Sequence, residues 1–195
     1  MIYMISQIIK RIMGWSKAIM NGIKYDKNLY IGRHVKVSNP GNIIMGNDVI
    51  VRPLTHLYCG NKASTMIMED GVEIGRGSTI SCVNKVTIGR NVLTAPYVYI
   101  ADHNHEYNDI TTPVCKQGVR INDGDEVMIG EGTWIGINAV IVGNVHIGKN
   151  CVIGANTVVV NDIPDYCVAV GVPAKVVKRY SHDSGIWIKE RSINS

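Results

Sequence analysis

Apolar positions recur with a period of six through most of the second half of the chain. From residue 129 onward every sixth position is aliphatic, at Ile129, Ile135, Ile141, Ile147, Ile153 and Val159. Glycine follows four of these residues, and a small or β-branched residue stands four positions after each of the first five. A period of six carries apolar positions around a 3.6-residue helix, so the pattern excludes an amphipathic helix there. It predicts a β-helix of hexapeptide repeats.

We expect each six-residue unit to form one face and one corner of a triangular coil, with the aliphatic side chain inside. Three units then close a coil of about 18 residues, and equivalent residues stack about 4.8 Å apart. The columns predicted in this way pair Ile129 with Ile147, Ile135 with Ile153, and Ile141 with Val159. Weaker copies of the motif lie upstream, so we expect an all-β solenoid of roughly six coils between Ile31 and Pro164.

Both ends of the chain depart from the repeat. Residues 2–23 place apolar side chains on one helical face and polar ones on the other, which predicts an amphipathic helix. This helix either caps the first coil or lies on a membrane surface. Residues 174–180 and 186–190 predict a short terminal helix or two that cap the last coil. The predicted domains are a helical cap at 1–30, a β-helix at 31–172 and a helical tail at 173–195.

Composition agrees with a narrow, β-rich prism. The chain of 195 residues has 20 glycines and no phenylalanine, and stacked aliphatic columns leave no room for large rings. The formal net charge is only +4, which gives no reason to expect a nucleic-acid partner. Five cysteines at irregular spacing form neither a disulfide framework nor a zinc module, which favours a reducing cytoplasm. We expect no signal peptide and no membrane-spanning segment.

The repeat is interrupted between Ile100 and Val127 by a loop at about residues 102–126. A long loop within a compact solenoid is either disordered or functional. Its first part, in the stretch YIADHNHEYND at 99–109, crowds His103 and His105 among acidic and amide residues. Adjacent coils hold this root rigidly, and catalytic groups are commonly mounted at such places. The composition of the loop therefore indicates a function.

Several motifs together resemble the left-handed β-helix acyltransferases. They are the hexapeptide columns, A-P-x-V-x-I at 95–100, D-H-N-H at 102–105, T-W-I-G at 133–136, V-I-G-A at 152–155, and the segment from D-I-P to A-K-V-V-K at 162–178. The resemblance is closest to the O-acetyltransferases of lipopolysaccharide O-antigen and capsule synthesis, and it covers about residues 40–190. Left-handedness follows from the resemblance alone and opposes the usual crossover rule. The resemblance also implies a homotrimer, with acetyl-CoA as co-substrate and a carbohydrate acceptor that is sometimes lipid-linked.

The resemblance implies roles for individual residues. In that family a loop histidine is the general base, which takes the proton of the acceptor hydroxyl as this attacks the thioester of acetyl-CoA. A count of nine residues from Pro96 gives this role to His105, with His103 as the second candidate or an acceptor contact. Asn84 is a candidate acceptor-binding residue, and no metal is expected. The positions implied for acetyl-CoA contacts are Trp134, Ile137, Ala155, Lys175 and Lys178.

Other functions stay open at this point. The same chemistry could serve an antibiotic, a free oligosaccharide or the nitrogen of an amino sugar. Zinc-dependent carbonic anhydrases share the prism, but they need three histidines, and no third one stands at a suitable spacing from the loop pair. A non-enzymatic solenoid would leave the loop and the G-V-P-A-K motif at 171–175 without a role. We expect a cytoplasmic protein, peripheral to the membrane if the first helix binds lipid.

Overall fold

The computed structural model describes residue 16, residues 18–39 and residues 42–190. Within them the chain winds into a parallel β-helix with three faces, termed A, B and C. The amphipathic helix predicted at residues 2–23 lies mostly outside the described residues. In the part of it that is described, residues 16 and 18–20 are helical. No helix in the described part of the chain has the length and apolar character needed to cross a membrane.

Faces A and C each contain six parallel strands, in agreement with roughly six predicted coils. In spatial order, face A contains β1 (Lys24–Tyr25), β4 (Asn42–Met45), β7 (Thr65–Met68), β10 (Lys85–Ile88), β15 (Glu126–Ile129) and β18 (Val145–Ile147). Face C contains β3 (Lys36–Ser38), β6 (His56–Cys59), β9 (Thr79–Cys82), β12 (Tyr99–Ala101), β17 (Val140–Val142) and β20 (Val158–Val159).

Face B contains nine strands, the last two of them antiparallel. They are β2 (Tyr30–Ile31), β5 (Ile50–Val51), β8 (Glu73–Ile74), β11 (Leu93–Thr94), β16 (Trp134–Ile135), β19 (Val152–Ile153), β21 (Cys167–Val170), β22 (Lys175–Ser181) and β23 (Ile186–Lys189). Consecutive residues of a strand point to opposite sides, so one side chain enters the prism while its neighbour faces outward.

The predicted interior columns are confirmed. The strand pairing sets Ile129 beside Ile147, Ile135 beside Ile153, and Ile141 beside Val159. All six of these side chains are at most 2% exposed. Burying one such aliphatic side chain stabilises the fold by about 1.5–3 kcal/mol, so the prism is held by many modest contributions along its length.

Buried threonines and glycines hold the corners between coils. The hydroxyl of Thr133 donates to the carbonyl of Gly148 at 2.9 Å and accepts the N–H of Cys151 at 3.0 Å. Thr94 accepts the N–H of Gly75 at 2.8 Å. A side chain at Gly75 would overlap a backbone carbonyl of the next coil. Small and hydroxyl-bearing residues therefore recur at corners because they satisfy buried backbone groups without adding bulk.

The C-terminal tail contradicts the prediction. Short helices are predicted at residues 174–180 and 186–190, but residues 175–181 and 186–189 form the strands β22 and β23. β22 pairs antiparallel with β21, and β23 pairs antiparallel with β22. The last coil would otherwise leave backbone N–H and C=O groups unpaired at the edge of face B. Pairing with that edge outweighs the weak helix propensity of the tail.

The loop leaves face C after β12 and returns to face A at β15. Val127 then lies in register beside Val86, so the solenoid resumes one coil further on. Within the loop are the antiparallel strands β13 (Asn104–His105) and β14 (Val119–Arg120) and one short helix, Val114–Gln117. The root of the loop therefore lies at the corner between faces C and A.

Candidate active site

A buried carboxylate, Asp102, organises the root of the loop. Its Oδ1 lies 2.8 Å from Nδ1 of His103. Its oxygens also accept the backbone N–H groups of Val83 and Asn84 at 2.7–3.1 Å. Burial alone raises a carboxyl pKa, but these hydrogen bonds outweigh it, and the pKa of Asp102 lies below its ordinary value. Asp102 is therefore an ionised acceptor at neutral pH.

His103 is held on both sides of its ring. Because Asp102 is an acceptor, Nδ1 of His103 donates to it. Nε2 lies 3.4 Å from Oγ of Ser81, which stands on the outer side of β9. When the imidazole is neutral, Nε2 accepts this hydrogen bond and the Ser81 hydroxyl donates it. The His103 side chain is only 12% exposed, and both of its nitrogens have partners within the protein.

His105 has a fixed backbone and an exposed side chain. It lies in β13 and pairs with Val119 of β14. Its N–H donates to Oδ1 of Asn104 at 2.9 Å. Among residues 16, 18–39 and 42–190, no hydrogen bond to the imidazole of His105 is observed. This ring is free to meet a ligand or a second copy of the chain.

Two cavities flank the root of the loop, and both have the volume of small-ligand sites. The first, of about 580 Å³, is lined by Asp102, His103, Asn104, Arg120, Asn122, Asp125, Val142, Gly143, Asn144 and Val160. The second, of about 480 Å³, is lined by Ala63, Thr65, Asn84, Lys85, Gly124 and Glu126. Neither cavity includes His105 within the described chain.

A third groove, of about 590 Å³, follows the corner between faces A and B. Two of its carboxylates already accept backbone hydrogen bonds, Asp162 from the N–H of His146 and Asp165 from that of Lys149. Neither loop histidine lines it. The candidate site is therefore the root of the loop.

Asn84 forms hydrogen bonds to residues at both ends of the loop. Its backbone N–H donates to Asp102, and its side-chain amide donates to the carbonyl of Asp125 at 2.6 Å. Its role as an acceptor contact stays a prediction. Asp102 and Ser81 are not among the residues predicted for the site, although Asp102 stands directly before His103 in the sequence. Nothing in the sequence points to Ser81, because only coil stacking brings it to His103.

The residues expected to contact acetyl-CoA lie along face B and its corner with face C. Strand pairing sets Trp134, Val152, Val168 and Lys178 in one outward row. Three strand spacings separate Trp134 from Lys178, or about 14 Å. Ile137 and Ala155 occupy stacked corner turns, since Asn156, next to Ala155, donates its N–H to the carbonyl of Ile137 at 2.9 Å. Lys175 is exposed at the start of β22.

The row on face B and the loop histidines do not meet within one chain. Ile137 precedes the start of β17, whereas Gly143 and Asn144, after its end, line the cavity at the loop root. The whole of β17 therefore lies between the two groups, which occupy opposite edges of face C. Among the described residues no group of three or more His, Cys, Asp or Glu side chains is placed to hold a metal ion.

Parts of the chain are similar to known proteins. Residues 126–161 match the bacterial transferase hexapeptide family, described as six repeats. This part of the chain therefore carries the hexapeptide repeat that the family model describes. It is 36% identical over 128 residues to WbbJ of Escherichia coli K12, named as a lipopolysaccharide biosynthesis O-acetyl transferase, covering 64% of this chain and 65% of the relative. It is 31% identical over 140 residues to a galactoside O-acetyltransferase of Lactococcus lactis, with 72% and 64% covered.

The chain spans just under two thirds of the length of both relatives. Among solved structures it resembles AntD, an N-acyltransferase of Bacillus cereus, in complex with dTDP-4-amino-4,6-dideoxyglucose and coenzyme A. The TM-score is 0.74 at 19% identity, and 87% of this chain and 90% of AntD are covered. The left-handed β-helix acyltransferase fold predicted from the sequence is thereby confirmed.

Proposed function

We propose that this protein is an acetyl-CoA-dependent O-acetyltransferase that acetylates a sugar hydroxyl during surface-polysaccharide synthesis. The observation that carries the proposal is the loop root, where a buried carboxylate fixes one imidazole and the adjoining strand presents a second to the outside. The names of the two relatives, which refer to lipopolysaccharide synthesis and to galactosides, support a carbohydrate acceptor. The coenzyme A bound to AntD supports the acyl donor.

In the proposed reaction His105 is the general base. Its neutral imidazole takes the proton of the acceptor hydroxyl while the oxygen attacks the thioester carbonyl. The new C–O bond forms, the C–S bond breaks, and the imidazolium returns its proton to the departing thiolate. A sugar hydroxyl needs this help because it is a weak nucleophile when protonated, whereas coenzyme A is a good leaving group.

His105 is better suited to this task than His103. A general base needs a ring nitrogen that the acceptor can reach, and both nitrogens of His103 already have partners. We assign the unit of Asp102, His103 and Ser81 a positioning role, in which it fixes the start of the loop against face C. If the Ser81 hydroxyl relayed a proton, His103 would be the base instead. Separate variants of the two histidines distinguish these cases.

Acetyl-CoA would lie along face B and its corner with face C. Trp134, which is 50% exposed, and the aliphatic row beside it suit the pantetheine arm. Backbone groups at Ile137 and Ala155 supply hydrogen-bonding partners there. Lys175 and Lys178 are cations suited to the nucleotide phosphates, as point charges without the bidentate fork of arginine.

A homotrimer would complete the site. Since the loop root and the face B row lie at different edges of face C in one chain, the loop of one copy must approach the row of another. A cyclic arrangement supplies this contact at every interface. The exposed ring of His105 then lies between two copies, which accounts for its lack of partners within the described chain.

The test is an assay of free-thiol release from acetyl-CoA with a panel of acceptors. The panel contains glucose, galactose, rhamnose, N-acetylglucosamine, their linear oligosaccharides, nucleotide-activated sugars, an amino sugar and chloramphenicol. We expect acetyl-CoA-dependent O-acetylation of a sugar, located by mass spectrometry and NMR. Acetylation of the amino sugar nitrogen or of chloramphenicol alone would reject the proposed acceptor class. Absence of transfer to every compound would reject the activity.

We also propose a cytoplasmic location with peripheral membrane contact through residues 2–23. The polar face predicted for this segment carries lysines, which favour anionic lipid surfaces. Co-sedimentation with vesicles of phosphatidylglycerol and phosphatidylethanolamine compares the full chain with one that lacks residues 1–20. Loss of vesicle binding on deletion is expected. Equal sedimentation of both forms favours a capping role.

A further inference from the structure

The outer surface of face C changes its chemistry at the coil that carries the loop. On β17 and β20 the outward residues are the aliphatic Val140, Val142 and Val158. On the four preceding strands, from β3 to β12, they are mainly polar or aromatic. The polar strip, as we term this region, comprises Lys36, Ser38, His56, Tyr58, Thr79, Ser81 and Tyr99.

Members of the polar strip form a connected series that ends at the loop root. Oγ of Ser38 lies 2.9 Å from Nε2 of His56, and the rings of His56 and Tyr58 meet edge to face at 6.2 Å. Tyr58 stands beside Ser81 in the strand register. Ser81 in turn reaches His103 at 3.4 Å. These contacts orient Ser38, His56 and Tyr58 at one end of the strip and Ser81 at the other.

The strip suits a neutral, hydroxyl-rich ligand. Its described members include no carboxylate and a single cation, Lys36, at its first strand. Burial, and then the neighbouring Lys36, lowers the pKa of His56 below its ordinary value, so this imidazole is neutral at neutral pH. A neutral imidazole and hydroxyl groups both donate and accept hydrogen bonds, as sugar hydroxyls do. The rings of Tyr58 and Tyr99 add apolar surface for the faces of sugar rings.

The length of the strip points to a chain of sugars. Three strand spacings separate β3 from β12, or about 14 Å, which exceeds the span of one pyranose ring. We propose that the polar strip binds an oligosaccharide acceptor, with the acetylated unit at the loop root and the following units over Tyr58 and His56. This inference rests on the proposed function, and it selects an oligomeric acceptor over a free or nucleotide-activated monosaccharide.

The test compares acceptors of different length that share one sugar. The sugar acetylated best in the panel is used as the monosaccharide and as its linear hexasaccharide. For the unaltered protein we expect kcat/KM to be at least about tenfold higher for the hexasaccharide, the effect of one or two additional hydrogen bonds. In His56→Ala and Tyr58→Ala this ratio should fall towards one. Tyr58→Phe, which keeps the ring, should retain part of it.

Matched controls lie on the other two faces. His146 on face A and Tyr30 on face B also point outward, and His146→Ala and Tyr30→Ala should leave the length ratio unchanged. Calorimetric titration with the same hexasaccharide, without acetyl-CoA, gives a readout independent of turnover. We expect His56→Ala to weaken this binding about tenfold, and thermal melts verify that the variants are folded.

The outcomes separate the two proposals. Sugar acetylation with equal kcat/KM for both lengths overturns the polar strip and leaves the proposed activity intact. The same holds if a length preference survives in His56→Ala and Tyr58→Ala. Absence of acetylation of any sugar overturns the activity itself. If the length preference is lost in His56→Ala and Tyr58→Ala but kept in the control variants, both the polar strip and the proposed activity are supported.

Discussion

Asp102 and His103 form a buried carboxylate–imidazole pair, with 2.8 Å between Oδ1 and Nδ1. Asp102 is 1% exposed, and its carboxylate also accepts two backbone N–H groups of the preceding coil. The pair therefore ties the first residues of the loop to a neighbouring coil. An ionised group in such a place makes both stability and loop geometry depend on its charge.

The first prediction concerns pH. The pKa of Asp102 is lower in the folded protein than its ordinary value, so its stabilising contribution is complete above the unfolded pKa of about 3.9. It is lost as the pH falls through the lower folded pKa. We expect the unaltered protein to lose more stability between about pH 5 and pH 3 than Asp102→Asn does. Urea midpoints measured at several pH values give both curves, and parallel curves would contradict the prediction.

The second prediction separates the two histidines. His105→Ala should lower kcat by about 10² to 10⁴-fold, with an unchanged melting temperature, because it removes the proposed general base. His103→Ala should lower kcat less and also lower the melting temperature, since Asp102 then loses a partner. Steady-state kinetics and thermal melts on both variants decide the roles. A larger loss of kcat in His103→Ala would transfer the catalytic role to that residue.

The third prediction concerns copies of the chain. We mix His105→Ala with the double variant Lys175→Ala, Lys178→Ala by co-expression with two affinity tags, and assay below the KM for acetyl-CoA. If each site joins the loop of one copy to the face B row of the next, about a quarter of the sites in random trimers are intact. The mixture should then exceed the mean of the two separate variants. Activity equal to that mean would place the whole site within one chain.

The fourth prediction concerns the nucleotide phosphates. Lys178→Ala should raise the KM for acetyl-CoA about tenfold, the worth of one charged hydrogen bond, with a small change in kcat. Lys178→Arg keeps the charge and should stay near the unaltered KM. Lys24→Ala, on face A, is the control for a lost surface cation. If Lys178→Ala and Lys24→Ala give the same KM, Lys178 has no contact with the nucleotide.

The fifth prediction concerns a corner. Thr133→Val keeps the shape of the side chain but leaves the carbonyl of Gly148 and the N–H of Cys151 without their partner. We expect a loss of about 2–3 kcal/mol in the free energy of unfolding. Thr133→Ser restores the hydroxyl and should recover most of it. Chemical denaturation of the three proteins provides the comparison. If Thr133→Ser lost as much free energy of unfolding as Thr133→Val, the hydrogen bonds would not be the cause.

The interior of the fold was predictable because one rule repeats. A period of six fixes which side chains enter the prism, so the pairs from Ile129 with Ile147 to Ile141 with Val159 follow from spacing alone. The tail was not predictable in this way. Residues 175–181 form a strand only because the edge of face B lies open beside them, and that edge exists only in the folded coil.

The site was predictable only in part, for a similar reason. The break in the repeat and the D-H-N-H motif indicate the loop, and both histidines lie at its root as expected. Their difference in environment depends on Ser81 and Val83, which belong to the coil below and are distant in the sequence. Spacing along the chain contains no information about which imidazole such a coil will cover.

The return of the loop has a consequence for how such proteins diversify. Ala101 and Glu126 end neighbouring segments of the solenoid, and the pairing of Val86 with Val127 continues as though nothing had been inserted. An insertion at this corner thus needs only two ends that join adjacent coils. The residues between these two ends can therefore vary in number and type without disturbing the coils beneath them.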